Sequence, residues 1–169
     1  MSPRVLVVGG GHAGATLAAL LQGVGRRAAG PGRTVGLRRS TGAGAVLNSL
    51  NCQPGSSLLV LGGGSVGLSA LLAAALRELS TIVVVEPLEQ RRELATALGA
   101  THAFDPADGA LAEQVRAIIG SGVDYAVDAT GVVGGLEQAM QSLAQRSALG
   151  IIVIPSDPAA ALPVNLIQA

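Results

Sequence analysis

The 169-residue chain has no lysine and no tryptophan, and only one each of tyrosine, phenylalanine and cysteine. Each shortage removes a class of protein. A single cysteine, Cys52, cannot build a disulfide framework within one chain, which suits a reducing, cytoplasmic setting. Aromatics at 1% leave nothing on which nucleic-acid bases could stack. No apolar run reaches the roughly 18 residues of a membrane span, and Val5–Val8 is too short for the core of a signal peptide. Neither a nucleic-acid nor a membrane partner is therefore expected. A homo-oligomer is left open.

Acidic residues are missing from the first half altogether. Residues 1–77 hold seven arginines and no Asp or Glu, a charge of +7, which the remaining residues cancel with −7. Five of those arginines (Arg26, Arg27, Arg33, Arg38 and Arg39) fall in a Gly/Pro-rich stretch. That pattern reads as a solvated linker rather than an anion-binding face, because no basic reading helix accompanies it.

Apolar residues, by contrast, make up 49% of the chain, and they are Ala, Val, Leu and Ile. Such a core suits a parallel sheet covered by helices on both faces. Twenty-four glycines suggest several tight strand-to-helix turns. Three units follow from the pattern. Residues 1–22 read as a strand, a glycine turn and a helix. Residues 23–40 are the Gly/Arg-rich linker. Residues 41–169 open with a short helix over 41–53, closed by Pro54-Gly55, and then alternate strand and helix. Strands are expected at Leu58–Leu61, Ile82–Val85, Thr101–Phe104, Tyr125–Val127 and Leu149–Ile154. Helices are expected at Ser65–Leu79, Leu88–Leu98, Ala110–Ile119 and Gly135–Leu143. Right-handed crossovers then give a doubly wound α/β sheet.

The motif with most chemical content is Leu61-Gly-Gly-Gly-Ser-Val-Gly67, in which Gly62-x-Gly64-x-x-Gly67 follows a strand and opens a helix. The first glycine permits the turn, the second lets backbone approach a pyrophosphate, and the third lets helix and strand pack closely. Phosphates would then meet free N–H groups at the positive end of the helix. Glu86 lies 19 residues past Gly67, at the end of the next strand, where an acid meets ribose hydroxyls. A carboxylate there repels a 2′-phosphate and favours NAD over NADP. Arg91 and Arg92 work against that preference, or else form a charged helix face with Glu89 and Glu93.

The segments TGAGAVLNSL, PGSSLLVLGGGSVGLSALLAA, VVEPLEQRRELATALGATHAFDP and GVDYAVDATG together resemble the zinc-dependent medium-chain alcohol dehydrogenases, particularly the aryl-alcohol type. The likeness runs from Thr41 to about Gln168, three-quarters of the chain. It implies a Rossmann-type sheet of order 3-2-1-4-5, counting Leu58–Leu61 as the first strand. It implies that Gly62, Gly64, Ser65, Val66 and Gly67 form the pyrophosphate turn, that Glu86 takes the adenosine ribose, and that Arg91 lies beside it. Thr130 and Ile154 would approach the nicotinamide half. The catalytic zinc domain of that family has no counterpart here, and Leu37 stands where its last cysteine ligand would be. The chain thus reads as a cofactor domain cut at both sides, not competent in catalysis alone.

The residues themselves agree that zinc is not expected. Cys52, His12 and His102 are far apart in sequence, and a zinc site needs three or four close ligands. A Tyr-x-x-x-Lys pair, another dehydrogenase device, is impossible without lysine.

Three other readings compete. Gly9-x-Gly11-x-x-Gly14 resembles the FAD motif of flavoprotein monooxygenases, but no acid follows before Glu78, so FAD is disfavoured. Gly63-Gly-Ser65-Val-Gly67 formally matches a hydrolase nucleophile elbow, though the dinucleotide motif explains the same glycines. A non-catalytic NAD-binding or regulatory module is the third. Finally, Val5–Val8 is expected to join the sheet in parallel, because it is an apolar strand with no other partner and the family's sixth strand, beyond the fifth, is missing.

Overall fold

The computed structural model describes residues 4–7, as backbone, and residues 41–153. Six parallel strands form one sheet: β1 (Arg4–Val7), β2 (Ser57–Leu61), β3 (Thr81–Val85), β4 (His102–Phe104), β5 (Val123–Asp128) and β6 (Leu143–Ile151), in the order β1-β6-β5-β2-β3-β4. Starting at β2, this is the expected 3-2-1-4-5 with one strand added. Among the described residues, four helices connect β2 through β6: α1 (Ser65–Leu76), α2 (Glu89–Ala97), α3 (Leu111–Ile119) and α4 (Val133–Gln141).

The continuous apolar runs of β2 and β3 are explained by burial on both faces. Leu58, Val60, Ile82 and Val84 pack on one side with Ala70, Leu71, Ala73 and Ala74 of α1 and Ala95 of α2. Leu59, Leu61, Val83 and Val85 pack on the other with Leu111 and Val115 of α3 and Leu136 and Ala139 of α4. Alternate side chains point to opposite faces, so one run of leucine and valine feeds two cores. Each fully buried Leu or Val contributes about 1.5–3 kcal/mol. Alanines on the inner face of α1 let that helix sit close to the sheet.

Residues 41–49 form the expected short helix, with a π-helical last turn over Ala45–Ser49. Gly42 explains its placement. A Cβ there would run into the Val66 carbonyl and the Ser69 hydroxyl, so this helix crosses α1 at backbone contact.

Helix boundaries differ modestly from expectation. Helix α1 ends at Leu76 rather than Leu79, because Glu78 adopts φ 57 and turns the chain out. The larger correction concerns the last strand. Leu143, expected to end a helix, begins β6, and α4 starts earlier, at Val133. A register irregularity opposite Val123–Tyr125 and Arg146 at φ 65 interrupt the alternation, so the exposed Gln145 and Arg146 hid the strand.

The added strand joins the sheet in parallel, as expected. β1 runs parallel to β6, with Arg4 opposite Ala148 and Val7 opposite Ile151. Val8, the first glycine turn with Gly9, Gly11, His12 and Gly14, the helix expected after it and the arginine-rich linker lie outside the described residues. So do Leu37 and Ile154. Among the described residues, no helix is long and apolar enough to cross a membrane.

Candidate functional site

At the carboxyl end of β2 the chain turns through Gly62 at φ +96, a conformation that favours glycine, with its N–H donated to Val85 O at 2.8 Å. Gly67 then sits so close that a Cβ would overlap the Gly62 carbonyl. Helix and turn therefore touch through backbone, as the third fingerprint glycine requires. Gly64 is different. It is the N-cap of α1 in extended conformation, and a Cβ there would meet nothing within 4 Å. No side chain caps α1 and no acid lies in its first turn. The positive helix end keeps its backbone donors for something else, and an anion fits that need.

Around Gly63, Gly64 and Ser65 opens a cleft of about 420 Å³ that continues past Leu68, Leu72, Leu94 and Leu98, with Arg91 on its wall. Ser65 is exposed and Val66 half-buried. Two strands flank β2, and each brings a buried carboxylate to this end of the sheet. Glu86 follows β3, and its side chain is 4% exposed. Its Oε2 accepts the Gly63 N–H at 2.7 Å and its Oε1 accepts the Leu88 N–H at 3.1 Å. Asp128 ends β5 and accepts both the N–H and the hydroxyl of Thr130 on Oδ1, at 2.8 and 2.7 Å. The Thr130 hydroxyl in turn accepts the Val132 N–H at 3.1 Å. Thr130 faces the turn closely, since its methyl would lie 3.0 Å from a Cβ on Gly62.

The two arginines separate cleanly. Arg92 donates from Nη1 to the carbonyls of Glu86 and Pro87 and to Asp105 Oδ2, at 2.7, 2.7 and 2.8 Å. It holds the loop after β3. Arg91 keeps a half-exposed guanidinium 3.7 Å from Glu86 Oε2.

Gly62, Gly64, Ser65, Val66, Gly67, Glu86, Arg91 and Thr130 thus converge at one end of the sheet, while Ile154 lies outside the described residues. Two residues of this region were not foreseen. Gly63 occupies a free position of the fingerprint, and only the Glu86 side chain packed over it explains a glycine there. Asp128 could have been found from Asp-Ala-Thr, the spacing of a carboxylate that bonds backbone two residues on.

The remaining polar candidates lie elsewhere. Cys52 is buried beside Val46, whose carbonyl accepts the Cys52 N–H at 3.0 Å, and burial pushes its thiol up to about 12. The His102 ring pairs its Nδ1 with the Thr101 hydroxyl at 3.0 Å and leans towards Phe104. No described hydrogen bond links it to Ser65, so the hydrolase arrangement is not assembled from these two. Among the described residues, no group of three or more His, Cys, Asp or Glu side chains is placed to hold a metal ion.

The family model for zinc-binding dehydrogenases matches residues 65–168. The chain belongs to the zinc-binding dehydrogenase family. A probable alcohol dehydrogenase from a Pseudomonas species is 50% identical over 132 residues, 76% of this chain and 41% of the relative. Geraniol dehydrogenase from Castellaniella defragrans is 42% identical over 129 residues, 76% of this chain and 34% of the relative. The crystal structure of benzyl alcohol dehydrogenase from Acinetobacter calcoaceticus superposes with a TM-score of 0.72 at 36% identity, covering 75% of this chain and 35% of that one. The chain therefore spans about two-fifths or less of the length of these family members.

Proposed function

We propose that residues 41–169 are the NAD-binding domain of an alcohol dehydrogenase-like oxidoreductase, with 1–22 an appended βα unit and 23–40 a linker. The observation that carries this reading is the Gly62–Gly67 turn. It combines an open position at Gly64, backbone contact at Gly67 and an uncapped helix end, which together suit a pyrophosphate. Gly62, Gly64, Ser65, Val66 and Gly67 would hold the phosphates, Glu86 with Arg91 the adenosine ribose, and Thr130 and Ile154 the nicotinamide half. NAD would supply hydride acceptance when bound. The chain's own residues would bind and orient it. Glu86 favours NAD over NADP.

Oxidising an alcohol also needs the hydroxyl proton removed and the alkoxide stabilised, which zinc does as a Lewis acid in enzymes of this chemistry. The described residues offer no ligand set for that ion, so this reading places no zinc in them and expects the chain alone not to turn over alcohols. A non-catalytic NAD-binding module is the second reading. A cytoplasmic location goes with either, supported by the single cysteine.

Calorimetric titration of the whole chain with NAD, NADP and FAD tests the core of this. NAD should bind best, and equal affinity for NAD and NADP would remove the role given to Glu86. Heat on adding FAD would favour a flavin site at Gly9, Gly11 and Gly14. NADH formation from benzyl alcohol, with and without zinc, tests the expectation shared by both readings that the chain alone does not turn over alcohols. Zinc-independent turnover at ordinary rates of about 1–1000 per second would show a catalytic group in the chain.

A further inference from the structure

We infer that Glu86 is a positioning residue for the phosphate-binding turn, acting through the Gly63 backbone, beyond any contact of its own with ribose. This rests on the reading of the Gly62–Gly67 turn as the dinucleotide site. The first observation is that the carboxylate is already engaged. Its two oxygens each accept one backbone N–H, from Gly63 and from Leu88, and the side chain is almost fully enclosed. The Gly63 bond joins residues 23 apart, tying the end of β3 to the turn after β2.

The second observation is independent of that bond. The fingerprint requires Gly62, Gly64 and Gly67 but leaves position 63 free. Here it is glycine, and a Cβ would lie 3.0 Å from Glu86 Cγ and 3.2 Å from Cβ and Oε2. The turn is shaped around this carboxylate. The Glu86 backbone is fixed as well: its N–H donates to Phe104 O at 3.0 Å and its carbonyl accepts from Arg92 at 2.7 Å. A strut needs a fixed base, and Arg92 with β4 supplies one.

The consequence concerns the next peptides. With the Gly63 N–H committed to Glu86, it is not a phosphate donor, and the donors left are those that open α1, from Gly64 onward. Fixing the Gly62–Gly63 peptide fixes how those donors are presented. A carboxylate suits this job and an amide does not. Two N–H donors face the two oxygens, and glutamine has one acceptor, so either rotamer sets an NH₂ against an N–H. Aspartate keeps the charge but is one methylene shorter, too short to span Gly63 and Leu88 from the same backbone.

The experiment compares ADP with 2′,3′-dideoxy-ADP, which keeps the pyrophosphate and lacks both ribose hydroxyls. Binding to the whole chain is measured for the native protein, Glu86→Gln and Glu86→Asp. The Gly63 amide is followed by its proton shift and hydrogen exchange without ligand. A lost hydrogen bond to a charged group predicts about tenfold or more weaker binding. The positioning role requires that loss with both nucleotides, together with an upfield shift and faster exchange at Gly63 in the variants. Native-like binding of the dideoxy compound by either variant, with ADP weakened, overturns it and leaves Glu86 as a ribose acceptor alone. If the native chain binds neither nucleotide, the dinucleotide reading fails, and the amide measurement decides separately. Unchanged exchange at Gly63 then overturns the strut, and faster exchange sustains it. Should Glu86→Gln not fold, Glu86→Asp carries the same comparison.

Discussion

Two carboxylates stand at the same end of the sheet, on the strands either side of β2, and they act over different ranges. Asp128 bonds Thr130, two residues on, and organises its own turn. Glu86 reaches across to Gly63 and organises a neighbouring one. Both are buried acids next to backbone donors, so burial alone does not distinguish a local cap from a cross-strand strut. The partner's distance along the chain does. A local contact survives wherever its own strand goes, whereas the strut exists only while β2 and β3 keep their register, with Leu61 opposite Val85.

The glycine turn gives the largest test of this contrast. Gly67→Val should lower stability by about 3 kcal/mol, the upper range for overpacking, because its Cβ meets backbone that cannot move aside. Thermal melting would show a drop of roughly 10 °C. Gly64→Val, three residues earlier, should melt like the native chain, since nothing lies within 4 Å of its Cβ. Its NAD binding should fall by about tenfold or more in calorimetry, because branches would fill the space left for the pyrophosphate.

Asp128→Ala comes next. It strands the N–H and hydroxyl of Thr130 and should cost about 1–3 kcal/mol in denaturant unfolding. It should leave the Gly63 amide signal unmoved, which sharpens the local reading. An altered Gly63 would break the comparison.

The arginine pair predicts a smaller difference. Arg92→Ala should lower stability by about 1 kcal/mol, since its guanidinium holds two carbonyls and Asp105. Arg91→Ala should change it by less than about 0.5 kcal/mol, being half-exposed and screened. Its effect should appear instead in the ratio of NAD to NADP affinity.

The smallest effect at neutral pH concerns Cys52. Its thiol, buried and raised from 9.0 to about 12, should not react with a thiol reagent at pH 8 until the chain unfolds. A folded pKa above the unfolded one means that the folded state holds the proton more tightly. Cys52 therefore contributes stability below pH 9 that is lost as pH rises through about 12. Comparing native chain with Cys52→Ala across that window isolates the contribution.

Much of the site was legible before the fold was known. Gly62, Gly64 and Gly67 are recognisable by their fixed spacing; the structure shows the turn at Gly62 and the backbone contact at Gly67, and leaves the space at Gly64 open. Glu86 is recognisable because one helix and one strand always intervene between the turn and the next strand end. Gly63 was not legible, because its need for glycine comes from a side chain 23 residues away. Composition and spacing did not separate Arg91 from Arg92, because adjacent helical positions face different neighbours; only the family resemblance singled out Arg91. The start of β6 was hidden by a bulge, since alternation is the strand signal and Arg146 at φ 65 breaks it.

By itself, then, the chain's sequence determined the alternation of strand and helix, the two-faced burial of β2 and β3 and the location of the turn. These follow from local chemistry: apolar runs, glycine spacing and the period of each element. Tertiary structure decided that Arg4–Val7 lies beside Leu143–Ile151, that Arg92 is tied while Arg91 is exposed, and that Glu86 bonds the glycine turn. Those depend on which strand lies next to which and in what register. A periodic pattern reports the face a residue occupies, but the partner it meets there is set by packing against distant parts of the chain.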